Sequence, residues 1–223
     1  MTKVSVIMPV YREKEGFVRQ AIESILNQTL TDFQYIIILD DPDNDELKQV
    51  IHEYCKNDSR IHFIVNDRNM GCPLTKNKGI LLSTTEYVAI MDADDVSYPD
   101  RLETQLKRME KDEVDFLAGY VEVIDEEDTV LYRMDNLPVK HEDVVKKMRV
   151  NNCMPHPAWM LKKRSYLALD GYADIQGCED YDLLLRAMNA GYKLGNCDRI
   201  ILKYRLSQQS ISRDNLYRQY LMM

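Results

Sequence analysis

Glycine is scarce where many nucleotide-binding chains most need it. The 8 glycines of this 223-residue sequence form no GxGxxG turn after the first strand and no GxxxxGK[ST] loop, which excludes a dinucleotide fingerprint and a P-loop. Cysteine is sparse too. Cys55, Cys72, Cys153, Cys178 and Cys197 contain no CxxC pair and are odd in number, as expected of reduced thiols rather than a disulfide frame or a zinc site. Basic charge is in deficit, 29 Lys and Arg against 37 Asp and Glu for a net −8, which argues against a nucleic-acid footprint. No apolar run approaches the ~20 residues that span a bilayer, and the N-terminus has neither a long apolar core nor a small-residue cleavage site. The expectation is a cytoplasmic globular chain with one core.

What is present is apolar periodicity. Val4 to Met8 reads as a strand that Pro9 closes, and Phe17, Ala21, Ile22, Ile25 and Leu26 recur at helical spacing up to Gln28. Phe33 to Leu39 is a nearly continuous apolar run, the pattern of a parallel strand buried on both faces. A helix (Leu47, Val50, Ile51, Tyr54), a strand (Ile61 to Val65), a loop through Asn69-Met70-Gly71, a helix from Pro73 to about Leu82 and a strand from Tyr87 into Asp92 complete a βαβαβαβ series. Such alternation implies a parallel sheet with ligands at the carboxyl ends of its strands.

After that point the pattern changes. A helix from Asp100 to Lys111 leads to Phe116–Ile124, the acidic turn Asp125 to Asp128 and Val130-Leu131-Tyr132, a hairpin signal. A helix near His141 to Arg149, a short strand Ala158 to Leu161 and a helix from Asp180 to Asn189 ended by Gly191 follow. From Asp198 on, Arg199, Lys203, Arg205, Arg213 and Arg218 are interleaved with Tyr204, Tyr217 and Tyr220. A solvated helix end is expected there, with peripheral contact to a membrane surface as the alternative.

The chemistry concentrates in carboxylates. The apolar run Tyr87 to Met91 stops at Asp92-Ala93-Asp94-Asp95, and carboxylates delivered to the edge of a core suit a hard divalent ion such as Mg2+ or Mn2+. Aspartates capping the helix after Ser97-Tyr98-Pro99 are the plainer alternative. A calcium loop of the EF-hand type fails, because Val96 and Ser97 stand where an oxygen ligand and a turn glycine are needed. Asp40-Asp41 ends the second strand, and in a parallel sheet the two clusters share one edge. Lys76 and Lys78, read singly, are solvated helix residues. Glu179-Asp180 opens a helix and complements its dipole, or else supplies a general base; Asp182 pairs with Arg186 at i,i+4.

Several motifs in order carry a resemblance. Val4-Ser5-Val6-Ile7-Met8-Pro9-Val10-Tyr11, Ala21 to Thr29, Asn69-Met70-Gly71 with Lys76-Asn77-Lys78-Gly79, Asp92-Ala93-Asp94-Asp95, Pro99-Asp100-Arg101-Leu102 with Gln105, and Glu179-Asp180 together resemble family 2 glycosyltransferases of the GT-A fold. The resemblance implies a Rossmann-like, mostly parallel α/β sheet with helices on both faces and a smaller mixed acceptor-side region. By it, residues 1–98 form the nucleotide-sugar-binding half, 99–205 the acceptor and catalytic-base half of the same domain, and 206–223 a tail. It further implies inverting transfer from a nucleoside-diphosphate sugar, a UDP-sugar foremost, with Mn2+ or Mg2+, to a saccharide or lipid-linked saccharide.

By position in the motifs, Pro9 and Tyr11 would line the nucleoside pocket, Asp40 would contact the base and Lys76 would stand near the nucleotide. Asp94 would be the direct metal ligand, Asp92 would face ribose or metal, and Asp95 is a third candidate. Asp180 would be the base, with Glu179 its neighbour and fallback. His156, Tyr204 and Arg205 resemble acceptor-side or diphosphate-side elements. The chain departs from the common pattern at Pro42-Asp43-Asn44, where many members have Gly-Ser, and at Arg12 and Lys76, which replace asparagine and arginine. Two alternatives stay open: a nucleotide-sugar-binding or scaffold subunit without catalysis, and a phosphohydrolase of the haloacid dehalogenase type, since Asp92 to Val96 also satisfies DxDxV.

Overall fold

The computed structural model describes residues 2–175 and 177–206. Its elements run β1 (Val4–Val10), α1 (Glu15–Leu26), β2 (Phe33–Leu39), α2 (Asp45–Cys55), β3 (Ile61–Val65), α3 (Cys72–Leu82) and β4 (Tyr87–Ile90). Then come β5 (Val96–Ser97), α4 (Arg101–Asp112), β6 (Phe116–Ile124), β7 (Val130–Met134), α5 (His141–Met148), a 3-10 turn (His156–Ala158), β8 (Met160–Lys162), α6 (Lys163–Leu167), α7 (Glu179–Asn189) and β9 (Leu194–Arg205). Among the described residues nine strands form one sheet, in the order β3-β2-β1-β4-β8-β6-β9-β5, with β7 paired on β6.

The first four strands are all parallel. Their apolar runs feed two cores by alternation: Tyr35, Ile37 and Leu39 of β2 enter the layer under α1, α2 and α4, while Ile36 and Ile38 enter the layer under α3, α5 and α7. A strand buried on both faces therefore still obeys the two-residue period. Helix α3 lies tight against the sheet at Gly79. A Cβ added at Gly79 would lie 2.4 Å from Cγ2 of Ile7 and 3.2 Å from Cδ1 of Ile38.

Pro9 lies inside β1 rather than closing it, at no cost in hydrogen bonds. The Ile7 carbonyl accepts from Met91 N on the β4 side, so the missing N–H of Pro9 faces the same side two residues on, where β4 has ended. There the two strands part. Pairing of β1 with β4 stops at Ile7 and Ile90, and the crevice between them opens at Asp92.

Buried polar side chains secure this irregular edge. Arg101, fully buried, donates from Nη2 to the carbonyls of Ile90 (2.6 Å) and Trp159 (3.3 Å), and Gln105 Nε2 donates to Ala158 O (2.8 Å). Gln28 accepts from Leu102 N and donates to Tyr98 O. These side chains bond backbone groups at the ends of the ladders and the start of α4, with Trp159 O also accepting from Ile90 N at 2.9 Å.

The second half mixes directions. β8 runs antiparallel to both β4 and β6, β6 is parallel to β9, and β6 and β7 form the expected hairpin. The C-terminal expectation needs correcting. Residues up to Arg205 form the long strand β9, not a helix end, because Ile201 and Leu202 fill the core and Arg205 is wholly buried. The tail lies, from residue 207 on, outside the described residues, as do Arg213, Arg218 and their tyrosines. No helix among the described residues is long and apolar enough to cross a membrane.

Candidate active site

The site grows from strand ends. Where β4 stops, Asp92 points into the crevice and its Oδ1 forms an ion pair with Nζ of Lys76 at 2.9 Å. Burial alone would raise the Asp92 carboxyl, but Lys76 outweighs it and holds the group below the ordinary aspartate range. Lys76 is itself buried, not solvated. Burial works against its charge, yet the Asp92 carboxylate first and Glu179 with it overcome that cost and its pKa is raised.

Asp94 behaves in the opposite way. Burial, then Asp92 and Glu13, push its carboxyl up to about 7. Glu13 was not foreseen, because nothing in Tyr11-Arg12-Glu13 distinguishes it from a surface loop. It accepts from Tyr11 N at 2.7 Å, and burial raises its pKa. Asp92, Asp94 and Glu13 thus form a patch of hard oxygen donors with more negative charge than one lysine offsets, a setting that fits a divalent cation. Among the described residues no group of three His, Cys, Asp or Glu side chains is close enough to hold a metal alone, so the remaining ligands would come from phosphate oxygens or water.

Asp95 takes no part in that patch. It is fully buried, with Oδ1 accepting from Arg205 N at 2.8 Å and Oδ2 without a hydrogen-bond partner among the described residues. Burial, Asp94 and Asp92 raise its pKa well above the usual value.

Arg205 likewise sits below the site and not in it. Its Nε donates to Asp94 O (2.8 Å), Nη1 to Asp125 O (2.9 Å) and Nη2 to Gln20 Oε1 (2.8 Å); Nη2 also pairs with Asp128 at 2.7 Å, and the guanidinium lies 4.3 Å over Phe17. With four of its five N–H donors engaged inside the fold, Arg205 clamps the acidic loop from below. Tyr204 packs against the core from β9.

Asp40 is similarly committed. Its Oδ1 accepts from Asn66 Nδ2 (2.6 Å) and Met70 N (2.9 Å), its Oδ2 from Gly71 N (2.8 Å). These bonds fix the Asn69–Gly71 loop, where Gly71 adopts φ +83°, a conformation natural to glycine. A base contact by Asp40 would have to share oxygens already in use. Asp41, next to it, is bonded to Arg12 Nε at 2.8 Å, and Arg12 holds its carboxyl low. Pro9 is buried in β1, and Tyr11 lies half-buried with Arg12 4.8 Å over its ring.

Glu179 and Asp180 begin α7 and approach the first cluster through Lys76, whose charge both of them feel. Asp180 accepts from Asn152 Nδ2 (2.8 Å) and Tyr181 N (2.7 Å). Burial, then Glu179, push it up to about 6, a value suited to a base near neutral pH. Glu179 accepts from Gly177 N at 2.7 Å. His156 bonds through Nε2 to Tyr172 OH at 2.8 Å and packs edge-on against Trp159. Burial first, and Lys76 second, lower its pKa well below the usual value, so the imidazole is neutral. Tyr172, Asn152 and Cys72 carried no sequence signal; Cys72, at the start of α3, is pushed by burial up to about 12 and is a thiol.

Comparison with known proteins agrees with this architecture. Residues 5–168 match Glycosyl transferase family 2. The chain is 35% identical over 223 residues to an uncharacterized glycosyltransferase of Methanocaldococcus jannaschii, covering 97% of this chain and 77% of that protein. It is 31% identical over 215 residues to the O-antigen biosynthesis glycosyltransferase WbnJ of Escherichia coli, covering 96% and 83%. Among solved structures, S. aureus TarS 1-349 superposes with a TM-score of 0.74 at 16% identity over 99% of this chain and 64% of that one. A match spanning the crevice and both of its acidic walls leaves one conclusion: the chain belongs to glycosyl transferase family 2, a glycosyltransferase of the GT-A fold.

Proposed function

We propose that this glycosyltransferase moves a hexosyl unit from a UDP-sugar to a hydroxyl of a saccharide or lipid-linked saccharide, with inversion and with Mn2+ or Mg2+. The observation that carries the proposal is the pairing across Lys76 of two unlike carboxylate sites, the crowded Asp92–Asp94–Glu13 patch and the single elevated Asp180. Environments that push carboxyl groups apart are how acid, base and ligand roles are divided. Uridine is supported by relatives: TarS has been crystallised with UDP-GlcNAc and with UDP, and an E. coli relative 28% identical over 210 residues is named a UDP-Glc:alpha-D-GlcNAc-diphosphoundecaprenol beta-1,3-glucosyltransferase. The phosphohydrolase alternative falls with the family assignment.

Asp94 and Asp92 would hold the metal, which supplies charge neutralisation to a diphosphate leaving group. Lys76 keeps Asp92 ionised and adds positive charge beside it. Asp180, ionised at neutral pH, would take the proton of the acceptor hydroxyl as its oxygen attacks the anomeric carbon. Neutral His156 and Tyr172 line the same side and add no competing charge. In-line attack requires base and diphosphate on opposite faces of the sugar, so one displacement inverts the centre.

Titration calorimetry with a panel of UDP-sugars, with and without Mn2+, tests the division of labour. Asp94→Ala should remove metal-dependent binding, whereas Asp180→Asn should bind normally and lose transfer by about 10²-fold or more, the scale of a general base. Equal loss of binding in both variants would show the base to be misassigned. Normal metal-dependent binding by an unaltered protein that neither transfers nor slowly hydrolyses any sugar of the panel would favour the scaffold alternative.

A further inference from the structure

Asn152 is a polar side chain in the irregular segment between α5 and the 3-10 turn, remote in sequence from both acidic clusters. Its orientation is fixed from both ends. Oδ1 accepts from Met154 N at 2.9 Å, so the amide nitrogen must be the end that meets Asp180 Oδ2 at 2.8 Å. The segment itself is anchored, because Trp159 Nε1 donates to Met154 O (3.0 Å) and Tyr181 OH donates to Met148 O (2.5 Å). With Tyr181 N on Oδ1, the Asp180 carboxylate is held at both oxygens by donors.

We propose that Asn152 is a positioning residue for Asp180: its amide fixes the carboxylate's rotamer and stabilises the ionised, proton-accepting form. The inference rests on the assignment of Asp180 as the base and extends it to a residue 28 positions earlier in the chain. A carboxylate confined at the mouth of a crevice, with water only partly admitted, loses its charge readily unless donors hold it. The other groups facing Asp180 divide by sign. Glu179 on its own helix opposes ionisation, Lys76 of α3 favours it, and the hydroxyl of Tyr172 and the thiol of Cys178, both kept protonated by burial, add no charge. Asn152 therefore supplies the one neutral side-chain donor on Asp180 among the described residues.

The test is Asn152→Asp. The replacement keeps an acceptor for Met154 N and the same shape, but removes the donor and sets a second carboxylate against Asp180. Carboxyl 13C NMR of the full chain, with the Asp180 resonance assigned by its disappearance in Asp180→Asn, reads the titration without any substrate. A midpoint raised by about one pH unit or more is expected, the size of one charge-assisted hydrogen bond. UDP release from UDP-sugars should show the acid limb of its pH profile moved up by the same amount, with donor KM unchanged, and Asn152→Ala should shift it in the same direction. Coincident midpoints in the parent chain and in Asn152→Asp would overturn the role given to Asn152. Retained turnover in Asp180→Asn would instead overturn the base assignment, and with it the inference.

Discussion

A charge that is costly to keep is often one kept for use. The Asp94 carboxyl, raised to about 7 by burial and by Asp92 and Glu13, binds its proton more tightly in the folded chain than in the unfolded one. Linkage then fixes the sign: well below pH 4 the group is neutral in both states, between about pH 4 and 7 the unfolded chain gives up this proton while the folded chain keeps it, so stability falls across that window and levels off above it. In EDTA, Asp94→Asn is expected to be more stable than the parent chain at pH 8 by about 1–2 kcal/mol after screening is allowed for, or roughly 2–6 °C in Tm, with the gap closing near pH 4. Stability curves that run parallel across that range would show that Asp94 bears no such cost. Carboxylates that follow an apolar run are conspicuous in a sequence, so Asp92 and Asp94 could be singled out there, whereas Asp180 stands out only as an acidic helix start and through the family resemblance. Lys76 is reached only through the family resemblance, since a lysine at helical spacing reads by itself as solvated until a partner is known to face it, and Glu13 and Asn152 belong to no pattern.

The parallel half of the sheet was legible because each strand is a run of apolar residues and α1 and α2 each carry a 3.6-residue apolar stripe. Helix α3 is positioned by contact rather than by polar bonds alone. Gly79 lets it lie against Ile7 and Ile38, and the close approach sets the height from which Lys76 reaches Asp92. Gly79→Ala gains about 1 kcal/mol of helix propensity and loses more to overpacking against β-branched Ile7, whose χ1 has little freedom, for a net destabilisation of about 1–2 kcal/mol. Urea unfolding measures it, and a variant more stable than the parent would show that the contact relaxes freely. β9 escaped notice for a local reason. Asp198 and Arg199 are exposed in mid-strand, at the irregularity where pairing jumps from Gly119–Cys197 to Tyr120–Ile200, and they break the alternation that identifies a strand.

At the scale of the molecule, what no periodicity encodes is the order in which distant pieces meet. The run β8-β6-β9-β5 joins segments far apart in the chain, and Arg205 closes the circuit by binding Asp94 O, Asp125 O, Gln20 and Asp128. Arg205→Ala leaves the half-buried Asp94 and Asp125 carbonyls without their donor and empties a fully buried position, and is expected to cost about 3 kcal/mol or more by chemical denaturation and to weaken metal-dependent binding by freeing the backbone of Asp94. A loss under about 1 kcal/mol with intact binding would mean the acidic loop holds itself.

The clamp also has a consequence in time. Arg205 lies 111 residues after Asp94, the residue whose backbone it grips. At synthesis rates of about 5–20 residues per second, roughly 6–22 s pass between the two. Throughout that interval a growing chain carries its acidic loop untethered, able to form the first sheet but not to hold the donor-side carboxylates in register. The last strand thus acts as a latch on the ribosome's product, and the enzyme acquires its acidic edge near the end of this stretch of synthesis, long after the residues that compose it have been made.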